Sequence, residues 1–240
     1  MVKIRARTRS TITAVVKADG YGHGAVTVAK AAVAAGAGWL GTTSVAEASA
    51  LRAARLAVPI LTWLHPSGID AEAVAATRVD VAVGSMDELG ALLAHAAPTV
   101  RVHLHVDTGM SRGGCPRGQW DELIGLAQRG QQARRVRVVG VMGHLPLAVP
   151  ADIDSADRAA LTGAALRMFD ALGCAGVARV DFFLTDDGPV LNEVNTMPGM
   201  TAESQVPRMF AAAGLSYEQL VARLVERATG PDPRARHLSV

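Results

Sequence analysis

The sequence predicts an α/β protein. Its first part is a partial (β/α)8 barrel of about six βα units, and its second part is a smaller α+β fragment. Three observations carry this. Short apolar runs alternate with helix-like segments from Ile12 to Met142, the pattern of a parallel sheet wound through right-handed crossovers. Polar residues stand directly after several of these runs, on the side where barrel enzymes place their chemistry. Beyond Leu147 the alternation stops, and a long helical run precedes a strand–turn–strand signal. The expected units are 1–147, 148–230 and a flexible tail at 231–240.

Composition agrees with this. Half of the 240 residues are apolar, aromatics are only 4%, and alanine and glycine are abundant, which suits tight helix–sheet packing. A net charge of +2, with the basic residues spread along the chain, excludes a nucleic-acid footprint. Cys115 and Cys174 lie far apart without metal-ligand spacing and read as free thiols of a reducing, cytoplasmic compartment. The basic start (Lys3, Arg5, Arg7, Arg9) leads into an apolar run that stops at Lys17. That is too short for a signal core or a membrane span.

The elements follow in order. Ile12–Val16 is a strand, ended by Lys17 and a turn built on Gly20, Gly22 and Gly24. Ala25–Ala35 is a helix closed by Gly36. Trp39–Thr43, Pro59–Trp63, Val79–Val83, Val100–Val106 and Val136–Met142 read as further strands. Val45–Ala54 and Ser85–Ala96 read as helices, because Ser44 with Glu47 and Ser85 with Glu88 form capping-box patterns. A lysine at the C-terminal end of a parallel strand is either a solvated side chain or a desolvated amine able to form a Schiff base. Arg112, after the fifth strand, and His144, after the sixth, fall on the same side of the sheet as Lys17.

The string Lys17-Ala-Asp-Gly-Tyr21-Gly-His-Gly resembles the pyridoxal-phosphate lysine motif of alanine racemases, and VDTGM-x-R at Val106–Arg112 resembles another segment of that family. The resemblance runs from about Thr11 to about Leu147. It implies a pyridoxal 5'-phosphate barrel in which Lys17 holds the cofactor and acts as a catalytic base. It further implies that Tyr21 bonds the cofactor phosphate, Arg112 approaches the phenolic oxygen, and His144 stacks on the pyridine ring. Two departures stand out. A further helix is expected before the lysine strand. The family often has a carbamylated lysine where this chain has His105, and a neutral imidazole cannot supply that negative charge.

In the second part, Asp157–Leu172 is a helix ended by Gly173 and Gly176. Ala178–Leu184 and Val190–Val194 form a hairpin around Thr185-Asp-Asp-Gly188. A three-residue loop pairs Thr185 with Pro189. Asp181 then lies opposite Glu193, and Arg179 opposite Asn195, all on one face. Such oxygens suit Mg2+, or the face is simply a solvated, charged edge. A two-residue loop would put Asp181 on the other face. Pro207–Ala228 carries Leu220, Leu224, Val221 and Val225 at helical spacing, expected to pack in a core.

The stretch ARVDFFLTDDGPVLNEVNTMPGMTAES closely resembles the C-terminal part of the ATP-grasp domain of D-alanine–D-alanine ligases, over about Val149–Ala228. The resemblance implies that Asp181, Glu193 and Asn195 hold Mg2+ or Mn2+ on ATP. It also implies that Arg179 and the backbone of Gly199 stabilise an oxyanion, and that Ser204 helps bind D-alanine. Both resemblances point to D-alanine metabolism in cell-wall precursor synthesis. The small-molecule partners expected are alanine, D-alanine and ATP, with no nucleic acid and no membrane. Each site is expected to be incomplete: one base face for racemisation, and no adenine pocket or phosphate loop. Self-association through open barrel edges is the remaining expectation.

Overall fold

The computed structural model describes residues 8–95, 99–145 and 149–230. Lys3, Arg5 and Arg7, the expected tail at 231–240, Ala96, and Leu147 at the junction lie outside the described residues. The chain divides into two compact units, Met1–Pro146 and Leu147–Val240.

In the first unit, β1 (Thr13–Val15), β2 (Trp39–Thr42), β3 (Ile60–Thr62), β4 (Asp80–Val83), β5 (Val100–Asp107) and β6 (Val136–His144) form one sheet in chain order. Every pairing is parallel. Between them lie α1 (Ala25–Ala34), α2 (Val45–Ala53), α3 (Ala71–Thr77), α4 (Met86–Ala94) and α5 (Trp120–Gln132). Two of these helices, α3 and α5, went unread in the sequence. The expected caps do form: Ser44 accepts the Glu47 N–H and completes a capping box, and Ser85 accepts the Glu88 N–H.

Alternation along the strands separates two faces. One carries Val16, Leu40, Ile60, Val81, Val83, Val102 and Leu104, each at most 7% exposed. These pack with Ala29, Leu51, Leu89, Leu92 and Leu123 from the helices to form the core. Removing such a side chain, as in Leu40→Ala, costs about 3 kcal/mol. The register places Trp39, Asp80, Arg101, His103, His105 and Asp107 on the opposite face. The edges β1 and β6 each have one paired neighbour.

In the second unit, α6 (Ser155–Leu172) is capped by Asp154, which accepts the Asp157 N–H, and is ended by left-handed Gly173. Strands β7 (Arg179–Thr185) and β8 (Gly188–Asn195) form an antiparallel pair, followed by α7 (Gln205–Ala212) and α8 (Tyr217–Thr229). Its core is Val206, Phe210 and Leu220, with Val177, Met200, Leu215 and Leu224 against them. The packing expected of all four residues on α8 holds for Leu220 and Leu224 only. Val221 and Val225 are 36% and 56% exposed, because they sit one position round the helix from the buried stripe.

The hairpin corrects the expected loop. Thr185 pairs with Gly188, so the connection has two residues, Asp186 and Asp187. Yet Asp181 does pair with Glu193 and Arg179 with Asn195, because the register shifts between Asp181 and Phe182. Asn192 is the extra residue of that bulge in β8, and it brings Glu193 and Asn195 to the face that carries Asp181, which a two-residue loop without a bulge would have denied them.

Candidate functional site

At the C-terminal end of β1 the chain makes a left-handed turn over Lys17–Tyr21. Ala18, Asp19, Gly20 and Tyr21 have φ of 52°, 54°, 63° and 56°. Each non-glycine residue there costs roughly 1–2 kcal/mol, so local contacts must hold it. Glu47 does much of this. Its Oε1 accepts the Ala18 N–H at 2.7 Å, and its Oε2 accepts the Thr43 N–H and hydroxyl at 2.8 and 2.7 Å. Burial raises the pKa of this carboxylate, but these donors outweigh it, and the net shift is downward. Asp19 Oδ1 accepts the Ala25 N–H at 2.7 Å and caps α1 from six residues back. Lys17 Nζ lies 5.9 Å from the centre of the Tyr21 ring.

The loop after β5 is fixed by its own backbone. Asp107 Oδ1 accepts the N–H groups of Gly109 and Ser111, both at 2.9 Å, and these bonds hold its pKa low. Thr108 donates its hydroxyl to the His144 carbonyl at 3.1 Å, and Asp107 and His144 are register partners. The chain then returns along β5: Cys115 donates to the His105 carbonyl at 2.7 Å, and Asp107 donates to the Cys115 carbonyl at 2.8 Å. Arg112 sits between the two tethers with its side chain exposed.

His105 lies beneath this return, 4% exposed, and its Nδ1 has no hydrogen-bond partner. Burial pushes its pKa down. Asp107 opposes that shift and Arg112 adds to it. His65 is also pushed down by burial, against a bond to the Ala82 carbonyl. Both rings therefore take up a proton less readily in the fold than in the unfolded chain, where an imidazole titrates near its ordinary value of about 6.5. Their contribution to stability is complete above that pH and lost as pH falls through the lowered folded values. The expected result is a melting temperature that drops between neutral and mildly acidic pH. His105→Leu should flatten the drop in thermal melts taken across that range.

In the second unit the sequence-selected residues are brought together around Arg179. Its Nε donates to Asp181 at 2.8 and 3.1 Å, its Nη2 to Asp181 Oδ2 at 2.8 Å, and its Nη1 to Gln205 Oε1 at 2.6 Å. The same Nη2 lies 3.5 Å from Glu193 Oε1. Asn195 turns its Oδ1 to the Met197 N–H at 3.0 Å. Ser204 turns its hydroxyl to Thr201, 3.1 Å from the N–H and 2.8 Å from Oγ1. A Cβ on Gly199 would lie 2.9 Å from that oxygen. The oxygens thus face an arginine or their own turns. Among the described residues no group of three or more His, Cys, Asp or Glu is placed to hold a metal. As arranged, this donor set does not fit a divalent ion.

Sequence reasoning missed Glu47 as a clamp, Asp19 as a remote cap and Gln205 as a partner of Arg179. The capping-box pattern signalled Glu47, but not its second reach to Ala18. No helix among the described residues is long and apolar enough to cross a membrane.

A single-chain-order parallel sheet, with helices packed on one face and a lysine held at the end of its first strand, defines an α/β protein of the barrel type. The chain belongs to the alanine racemase family: the model described as "Alanine racemase, N-terminal domain" matches residues 1–178. A second model, "D-ala D-ala ligase C-terminus", matches residues 143–226, so the two overlap at 143–178. The alanine racemase of Mycolicibacterium smegmatis is 44% identical over 137 residues, 56% of this chain and 35% of that protein. The alanine racemase of Salinispora tropica is 34% identical over 242 residues, 89% and 65% of the two chains. The D-alanine–D-alanine ligase of Mycolicibacterium vanbaalenii is 58% identical over 82 residues, 34% of this chain and 22% of that one. Among solved structures, alanine racemase from Streptomyces coelicolor A3(2) superposes with a TM-score of 0.57 at 39% identity. That match covers 70% of this chain and 46% of the other. The chain therefore spans about a third of the curated relative from M. smegmatis and under half of the solved one.

Proposed function

We propose that the first unit binds pyridoxal 5'-phosphate through Lys17 and that the chain serves D-alanine metabolism. The observation carrying this reading is the strained left-handed turn after β1, clamped by Glu47, which fixes Lys17 at the C-terminal end of the sheet. Strain of this kind persists where the surrounding structure over-determines it, commonly at a ligand clamp. The donor set suits the group: an amine on Lys17 for the aldehyde, a phenol on Tyr21 for the phosphate, Arg112 for the phenolic oxygen and His144 for the ring. When bound, the cofactor supplies an electron sink for carbanion chemistry. Lys17 would hold or release a proton at Nζ, and Glu47 would keep its backbone from relaxing. Racemisation takes a base on each face of the substrate carbon. Lys17 supplies one, so binding rather than turnover is the activity proposed for this stretch of chain.

The test is covalent. After incubation with pyridoxal phosphate and borohydride reduction, peptide mass spectrometry should find the cofactor on Lys17. Lys17→Ala should carry none, and Glu47→Gln should label several-fold less. Equal labelling of scattered surface lysines, with Lys17 not preferred, would sink the reading.

The 58% identity with a ligase over 82 residues favours a second reading for the other unit. It descends from an ATP-grasp C-terminal part and once handled D-alanine with ATP and Mg2+ or Mn2+. Arg179, Gly199 and Ser204 would then be relics of an oxyanion and substrate site, and Asp181, Glu193 and Asn195 of a metal site. Equilibrium dialysis with labelled ATP and Mg2+ tests it: a relic retains no nucleotide, and Mg2+-dependent retention of ATP would overturn the reading.

A further inference from the structure

We infer that Arg179 is the resident cation of the hairpin: its guanidinium fills the position between Asp181 and Glu193 and closes it to divalent ions. Directly opposed carboxylates on neighbouring strands repel unless positive charge stands between them. Here one atom does this. Arg179 Nη2 lies 2.8 Å from Asp181 Oδ2 and 3.5 Å from Glu193 Oε1. The guanidinium is forked onto both Asp181 oxygens, pinned on its far side by Gln205 Oε1 at 2.6 Å, and its side chain is 16% exposed. A forked, charge-assisted pair is strong and geometrically exacting.

A metal ion entering this face must displace that fork and recover Asn195 Oδ1 from the Met197 N–H. Mg2+ is a poor competitor for such a task. It sheds its own water reluctantly and demands near-octahedral oxygen ligands. Arg179, tethered two residues from Asp181 on the same strand, competes at a high effective concentration that no free ion matches. Arg179 and the acidic pair are thus one charge-balanced unit. The inference concerns the hairpin without nucleotide and stands whichever reading of the ligase-like unit holds.

The probe is Mn2+ alone, added to the full-length chain without nucleotide and followed by the free-ion paramagnetic resonance signal. The wild type should leave Mn2+ free into the millimolar range. Arg179→Met should bind one Mn2+ at least about tenfold more tightly, since two facing carboxylates then lack a counter-charge. Adding Asp181→Asn should abolish the gain. Stoichiometric uptake by the wild type at micromolar Mn2+, lost in Asp181→Asn, overturns the inference, as does a folded Arg179→Met that gains nothing. If Arg179→Met does not fold, the wild-type titration decides: uptake refutes the inference and its absence upholds it.

Discussion

Gly84→Ala is expected to destabilise the first unit by about 3 kcal/mol, whereas Gly90→Ala, six residues on, stabilises it by up to about 1 kcal/mol. The opposite signs follow from what a methyl group meets. At Gly84 an added Cβ would land on the Gly113 carbonyl oxygen, and the Gly113–Gly114 backbone lies within 3.1 Å. The return loop over His105 is held by two bonds to β5 and cannot simply retreat. The Gly84 N–H is also held, by Glu88 Oε2 at 2.7 Å. At Gly90, within α4, nothing lies within 4 Å, and only the helix preference of alanine is felt. Trp39, Trp63 and Trp120 all belong to the first unit, so urea melts followed by tryptophan fluorescence report this unit alone. Equal effects of the two substitutions would show that the return loop is not packed on Gly84.

The second large effect concerns Asp80, a carboxylate 3% exposed at the start of β4. It accepts Arg101 Nε at 2.9 and 3.1 Å and lies 3.2 Å from His103 Nε2. Arg101 stands 5.8 Å from the Trp39 ring centre, and His103 meets the same ring edge-on at 5.8 Å. Asp80 thus organises a polar and aromatic layer on the sheet face opposite the core. Asp80→Ala leaves a guanidinium without its carboxylate. For a fully buried pair that costs about 3–5 kcal/mol; with the Arg101 side chain 43% exposed, water screens part of it, and about 2–3 kcal/mol is expected. A double-mutant cycle with Arg101→Met, read by the same fluorescence melts, should show coupling near 1 kcal/mol. Additivity would mean that the pair is incidental.

Much of the architecture was legible because its signals are local. Apolar runs between caps located all six parallel strands, and serine with glutamate three residues later located two helix starts. The helix α5 was not read because Gly125 and Gly130 interrupt its preference. Gly130 is there for packing, since a Cβ would lie 2.5 Å from Leu93 Cδ2. The three glycines after Lys17 announced a turn, but positive φ at Ala18, Asp19 and Tyr21 could not be foreseen. It depends on Glu47, a residue close only after the chain has folded. Arg112 and His144 were found through strand ends, whereas the orphan nitrogen of His105 emerges only from the loop laid over it. In the hairpin the pairing partners were legible but the route to them was not, because a bulge is a property of two strands together.

That single unpaired asparagine in the ribbon has a consequence for how the segment can drift over time. Arg179, Asp181, Glu193 and Asn195 share one side of the ribbon and Val180 and Val194 the other, so gaining or losing one residue between the tip and Asn192 would turn Glu193 and Asn195 away from Asp181 at once. A change of two would leave them as they were. Length variation in this ribbon should therefore come in even steps, unless the kink itself is lost in the same event.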